Sequence, residues 1–388
     1  MRILNISINY SPIIAGAELF VQHVAENLAF ENHEVVVLTR KVAGTPREEV
    51  VNGVHVMRAS FPAIWDIRSS NLSRYALASI PYLVKEAIKL IKRRNIDIIH
   101  SHAAICNLIG SIAATVCKKP LMCTVQGGDL ADYAETTANI PMRLLIQASL
   151  RRADLVHGVS RYAVGRARQL GARKTVLIPN GVDTDLFRPN IENNNLQSEL
   201  GLERTKIVFS ASRLTPKNGM DLLLRAVPNI VSEHQKVVFL IAGGGTEEAK
   251  LRRLRKKLGI VDKVILLGEV PHLMIPLYLD IADIFIRPSF EDGFGICFIE
   301  AMASGTPTIG TKVGGIPDII RNRDNGYLIQ PGSSEEIEDA ISTIMQDPKA
   351  AEMMAKRARD DACRRFSWKL ISDNVLKVYC SLLDQHVS

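Results

Sequence analysis

The stretch Pro288-Ser-Phe-Glu-Asp-Gly-Phe-Gly-Ile-Cys-Phe-Ile-Glu300-Ala-Met-Ala-Ser-Gly305 concentrates residues able to hold a phosphorylated ligand. A strand ends near Pro288, Gly293-Phe-Gly295 makes a turn, and a helix begins around Ile296. The first amides of such a helix have no intrahelical acceptor and lie at the positive end of the helix dipole, so they suit phosphate or sugar oxygens. Glu300 falls inside this otherwise apolar helix, where a carboxylate is costly to bury unpartnered. It calls for a partner or a ligand, and a vicinal diol such as ribose fits. The competing reading is a glutamate that reaches solvent or pairs with a core arginine.

The elements that must position this stretch follow a regular order. Apolar runs of strand length at 3–8, 35–39, 96–100, 121–125, 155–159 and 176–178, with a helical pattern at 17–30, predict one doubly wound parallel sheet. After Pro179-Asn180-Gly181 and the polar residues 190–197 the pattern restarts, with strands at 207–211, 237–242, 264–267, 284–286 and 308–309 and helices at 220–231 and 247–258. The halves share an architecture and no sequence repeat. This predicts an α/β protein of two Rossmann-like doubly wound domains facing an interdomain cleft, because open α/β sheets bind ligands beyond the carboxyl ends of their strands.

Length and composition agree with that plan. A chain of 388 residues exceeds what one core usually organises. With 47% hydrophobic and 23% charged residues it is an ordinary globular sequence, which excludes fibrous and disordered readings. Residues 1–189 carry 23 Lys+Arg and 15 Asp+Glu, so 23 − 15 = +8, and the remainder carries 25 − 26 = −1. A basic first half suits an anionic partner, and residues 85–94, where Ile88 and Ile91 stand among lysines and arginines, point to an anionic membrane surface. Nucleic acid is not expected. The longest uncharged stretch, 100–117, is too short and too polar to span a bilayer, and the start of the chain leads directly into a strand, so a cytoplasmic protein at the inner face of the membrane is expected. The six cysteines form no CxxC pair and read as reduced core residues.

An acid, seven residues and Glu300, with Gly-Phe-Gly inside and Ala-Met-Ala-Ser-Gly after it, closely resembles the signature of the retaining family 4 glycosyltransferases (glycosyl transferases group 1) of the GT-B fold. The resemblance spans nearly the whole chain. It includes Gly16-Ala-Glu18, Pro179-Asn-Gly-Val-Asp-Thr-Asp-Leu-Phe187, Ser212-Arg-Leu-Thr-Pro-Lys-Asn-Gly219, Ile241-Ala-Gly-Gly-Gly245, Gly314-Gly-Ile-Pro317 and Asn325-Gly-Tyr-Leu328. It implies an acceptor-binding domain over 1–189, joined by the C-terminal helix 367–388, and a nucleotide-sugar domain over 190–366. It also implies that Glu300 binds ribose, that Asp292 approaches the donor sugar with the amides of Phe294, Gly295 and Ile296, that Arg213 and Lys217 contact the diphosphate, and that the small loop at Gly16 closes over it. A UDP- or GDP-linked sugar is the implied donor, with a sugar, a lipid-linked sugar or a small alcohol as acceptor. No metal and no further cofactor is implied.

The chemistry suits those roles. Cleaving a sugar–diphosphate bond puts negative charge on the leaving phosphate, which arginine, lysine and helix-end amides stabilise. The sequence departs from the family pattern at three places. Asp292, preceded by Glu291, stands where Glu is common; Asn218, preceded by Lys217, stands where Lys is common; and Gln126 in Thr124-Val-Gln126-Gly-Gly-Asp129 stands where His is frequent. Gln126 can hydrogen-bond a sugar hydroxyl and cannot titrate near neutrality. These departures keep two rivals open: another GT-B enzyme, such as an epimerase or phosphorylase, and a non-catalytic nucleotide-binding module. Asp183-Thr-Asp185 matches a metal motif and reads better as a turn cap beside Asn180-Gly181, and His100-Ser-His102 reads as core or acceptor-site histidines.

Overall fold

A computed structural model describes residues 1–12, 16–59, 72–127, 140–192 and 194–387. Gly128 and Asp129 of the Gln126 stretch, Asn193 of the polar stretch and the terminal Ser388 lie outside the described residues. The chain forms two compact units, Met1–Asn180 with Trp368–Ser388, and Gly181–Ser367.

In the first unit β1 (Arg2–Ile6), β2 (Glu34–Arg40), β4 (Val54–Ala59), β5 (Ile98–His102), β6 (Leu121–Val125), β7 (Leu155–Gly158) and β8 (Thr175–Leu177) run parallel, and β3 (Glu48–Val51) pairs antiparallel with β4. Their order is β3-β4-β2-β1-β5-β6-β7-β8, so the sheet grows outward in both directions from β1 and β5. The helices are α1 (Gly16–Phe30), α2 (Leu72–Arg93), α3 (Ala104–Cys117), α4 (Ile140–Arg152) and α5 (Arg161–Gln169). β1 ends two residues earlier than its apolar run suggests, at Ile6. The β3–β4 hairpin is absent from the apolar-run reading because β3 is charged and its side chains alternate between exposed and half-buried. Its signal was nonetheless present: Asn52-Gly53, both at positive φ, is the dipeptide a tight hairpin turn requires.

The second unit holds β9 (Lys206–Ala211), β10 (Val237–Ala242), β11 (Val264–Gly268), β12 (Ile284–Arg287), β13 (Thr308–Thr311) and β14 (Tyr327–Ile329), all parallel, in the order β11-β10-β9-β12-β13-β14. Its helices are α6 (Leu196–Glu199), α7 (Met220–Glu233), α8 (Glu248–Lys257), α9 (Ile275–Ile281), α10 (Ile296–Ala303), α11 (Ile316–Ile319), α12 (Ser334–Gln346) and α13 (Pro348–Phe366). Strands buried on both faces, such as Val-Val-Phe-Leu-Ile-Ala in β10, explain the unbroken apolar runs of the sequence.

The last helix, α14 (Trp368–Val387), belongs to the first unit and contributes Trp368, Ile371, Val375, Tyr379 and Leu382 to its core. These residues recur at three- and four-residue intervals and so form one apolar stripe. Among the described residues no helix is long and apolar enough to cross a membrane.

Candidate functional site

In the second unit the sheet order reverses direction between β9 and β12, and the crevice at such a point lies beyond the strands' carboxyl ends. Two chain segments leave the sheet there. β9 continues into Ser212-Arg213-Leu214 and a short 3-10 turn, Pro216–Asn218. β12 continues into the Pro288–Gly295 loop and α10.

The segments are fastened together. The Phe290 amide donates to the Lys217 carbonyl at 2.7 Å. Gly219 has φ 66°, and a Cβ there would collide with the Pro288 carbonyl oxygen, so glycine is needed for both the left-handed turn and the close approach. Asn218 is buried, and its Nδ2 donates to the Arg213 carbonyl at 2.6 Å. Its amide therefore closes the loop. The Arg213 and Lys217 side chains are exposed, so of the neighbours Lys217 and Asn218 it is the lysine that is free to reach a ligand.

On the facing segment, Asp292 is committed to the loop itself. One carboxylate oxygen pairs with Arg287 Nη2, and the other accepts from the Phe294 amide at 3.0 Å. Arg287 in turn lies over the Phe298 ring, 5.0 Å from its centroid. The Phe294 amide is thus spent on Asp292 and its ring is buried, which leaves the amides of Gly295 and Ile296 at the open end of α10. Glu291 is half-buried and makes no hydrogen bond or ion pair among the described residues.

Glu300 is 6% exposed on α10 and has a partner that the sequence reading did not name. His272, in the short turn His272–Met274 after β11, places Nε2 2.6 Å from Glu300 Oε1. The pairing is with a histidine and not with a core arginine. The imidazole stacks at a tilt on Phe187, ring centroids 5.4 Å apart, and the Glu300 hydrogen bond raises its pKa above 6.5 against the opposing effect of burial. The available signal was indirect: a buried carboxylate requires a donor, and the chain holds only nine histidines.

Gly16 and Gln126 belong to the first unit. Gly16 opens α1 and is exposed; Gln126 follows β6 and is half-buried. Nearby, His100 and His102 are core residues joined by a third, His157. His100 bonds Tyr379 Oη at 2.6 Å and Thr124 Oγ1 at 2.5 Å, Thr124 bonds His157 at 2.8 Å, and His157 bonds the Ile178 carbonyl at 2.6 Å. Asp183 accepts from the amides of Asp185 and Leu186, both at 3.0 Å, which is a turn cap.

The family model "Glycosyltransferase Family 4" matches residues 14–186, and "Glycosyl transferases group 1" matches residues 192–361. An uncharacterized glycosyltransferase of Methanocaldococcus jannaschii is 26% identical over 98% of each chain. An N-acetyl-alpha-D-glucosaminyl L-malate synthase of Bacillus anthracis is 25% identical over 98% of this chain and 97% of its own. Among solved structures, sucrose-phosphate synthase from Thermosynechococcus elongatus superposes with a TM-score of 0.84 at 22% identity over 99% of both chains. Anabaena HepE in complex with UDP superposes at 0.80 and 22% identity, over 98% of this chain and all of that one.

Two α/β units of this topology make the GT-B fold. The chain belongs to the family 4 glycosyltransferases: the family 4 model covers its first half and the group 1 model its second.

Proposed function

We propose that the protein moves a hexosyl group from a UDP- or GDP-linked sugar to an acceptor hydroxyl, with retention of anomeric configuration and without a metal. The observation that carries this reading is the convergence, at the β9/β12 reversal, of the Arg213–Lys217 loop with the open end of α10 and the half-paired Glu300. Glu300 Oε1 is held by His272, and Oε2 remains to accept from a ribose diol. Arg213 and Lys217 are exposed cations able to take the diphosphate. The bond between the anomeric carbon and the diphosphate oxygen breaks, and the electron pair leaves with the phosphate. Arg213, Lys217 and the Gly295 and Ile296 amides stabilise that charge. The acceptor oxygen bonds to the anomeric carbon on the same face, and its proton passes to the departing phosphate. Glu291, uncommitted within its loop, is better placed than Asp292 to meet the sugar hydroxyls.

The first unit takes the acceptor in this reading, with Gln126 as a hydrogen-bonding group and Gly16 as a close backbone approach to the donor. A sugar, a lipid-linked sugar or a small alcohol would serve. Lys85, Lys89, Lys92 and Arg93 of α2 favour peripheral contact with an anionic membrane.

Calorimetric titration with UDP and GDP, then with their sugars, with and without Mg²⁺, tests the donor reading. UDP comes first because the HepE structure named above holds it. Micromolar metal-independent binding of one diphosphate supports the reading; no binding of either removes it. Donor breakdown or epimerisation without acceptor, or a requirement for inorganic phosphate, would assign another GT-B reaction, and binding without turnover a non-catalytic module.

A further inference from the structure

An open cavity of about 370 Å³ lies at the amino-terminal edge of the first unit's sheet, the edge opposite Gln126 and His102. It is lined by Arg151 and Arg152 from the last turn of α4, Asp154 just before β7, Arg173 and Lys174 just before β8, and the end of α14. Four cations against one carboxylate leave 4 − 1 = +3. The carboxylate is already engaged. Asp154 Oδ2 accepts from the Leu121 amide at 2.8 Å, Arg152 lies 3.8 Å away and His386 3.4 Å.

The remaining cations are not neutralised by any described carboxylate. Among the described residues the Lys174 ammonium meets only the amide oxygen of Gln385, at 3.1 Å, and Arg151 and Arg173 make no ion pair. A cation near a helix C-terminus is favoured by the dipole, which accounts for Arg151 and Arg152 on α4 but not for Arg173 and Lys174. Arg151 is also placed by the backbone. Gly171 has φ 100°, and a Cβ there would sit 2.6 Å from Arg151 Nε, so the bare glycine turn lets this arginine lie against the segment that carries Arg173 and Lys174. Guanidinium groups bind phosphate oxygens through paired N–H bonds.

We propose that this cavity binds a phosphate-bearing anion, at a site separate from the donor site of the second unit. The ligand is either a soluble phosphate or a phospholipid headgroup. The inference does not depend on the donor reading, because every residue in it belongs to the first unit.

The full-length protein is titrated with inorganic pyrophosphate, and in a second arm is sedimented with phosphatidylcholine vesicles with and without phosphatidic acid. Wild type is compared with Arg173→Gln and Arg151→Gln/Arg173→Gln, and with Arg213→Ala to remove pyrophosphate bound at the second unit. The expected result is an affinity about tenfold or more lower in the double variant in one arm, with Arg213→Ala leaving that component intact. Loss in the pyrophosphate arm identifies a soluble phosphate, and loss confined to the vesicle arm a headgroup. Absence of binding in both arms, or equal binding by wild type and the double variant, overturns the proposal. Arg173→Gln alone, on an exposed turn, carries the test if the double variant melts early.

Discussion

His272 Nε2 and Glu300 Oε1 are 2.6 Å apart although the residues stand 28 positions apart in the chain, one after β11 and the other on α10. The histidine stands half-exposed over a buried carboxylate. It fixes one oxygen of Glu300 and so determines which oxygen a ligand can use.

Glu300→Ala is expected to weaken nucleoside diphosphate binding by about 2 kcal/mol, roughly thirtyfold, with the fold retained. Calorimetry with UDP and GDP measures it. Unchanged affinity would remove Glu300 from the binding site.

The His272–Glu300 pair predicts a pH dependence of stability. The carboxylate raises the imidazole above 6.5, so the pair stabilises the fold fully below that value and loses its contribution as pH rises through the elevated one. Melting temperatures of wild type and His272→Ala should differ most near about pH 6 and converge toward about pH 9. A constant difference across that range would show that packing on Phe187, and not charge, is what the variant loses.

The histidines of the first unit predict the opposite trend. Burial, with the neighbouring histidine charges, lowers His102 to about 3 and His100 well below its ordinary value, and burial lowers His157 to about 4. They stay neutral while the unfolded chain takes up protons below about 6.5, so stability falls as pH drops from there toward the folded values. The limiting slope is about 1.4 kcal/mol per pH unit for each histidine. Urea unfolding between about pH 7 and pH 4 should show this fall, and His157→Gln should flatten it.

Arg213→Ala should lower turnover more than it weakens binding of a free nucleoside, because the leaving diphosphate carries most charge at the transition state. Steady-state rates beside nucleoside titrations give the comparison. Equal losses would mean that Arg213 holds the ground state only.

Gly219→Ala should destabilise the second unit by about 2 kcal/mol or more, since it adds a left-handed alanine and a collision with the Pro288 carbonyl. Denaturant unfolding measures the loss, and reduced UDP affinity should accompany it as the two segments part.

Much of this protein was determined by sequence alone. Apolar strand-length runs separated by helical patterns specify parallel α/β units, because strands covered on both faces must be continuously apolar. Gly293-Phe-Gly295 before an apolar helix, and a glutamate inside that helix, mark an anion-binding helix start by local chemistry. The charged strand β3 escaped that logic, since an edge strand needs no buried face, and only its Asn52-Gly53 turn announced it.

Tertiary structure decided what depends on contacts across the chain. Which of Lys217 and Asn218 faces a ligand follows from the Asn218 bond to the Arg213 carbonyl. Which of Glu291 and Asp292 is free follows from the Arg287 pair at the end of β12. The Glu300–His272 bond forms because β11 and β12 both deliver their ends to the same edge of one sheet, and the order of strands in that sheet is a property of long-range packing that local sequence does not encode.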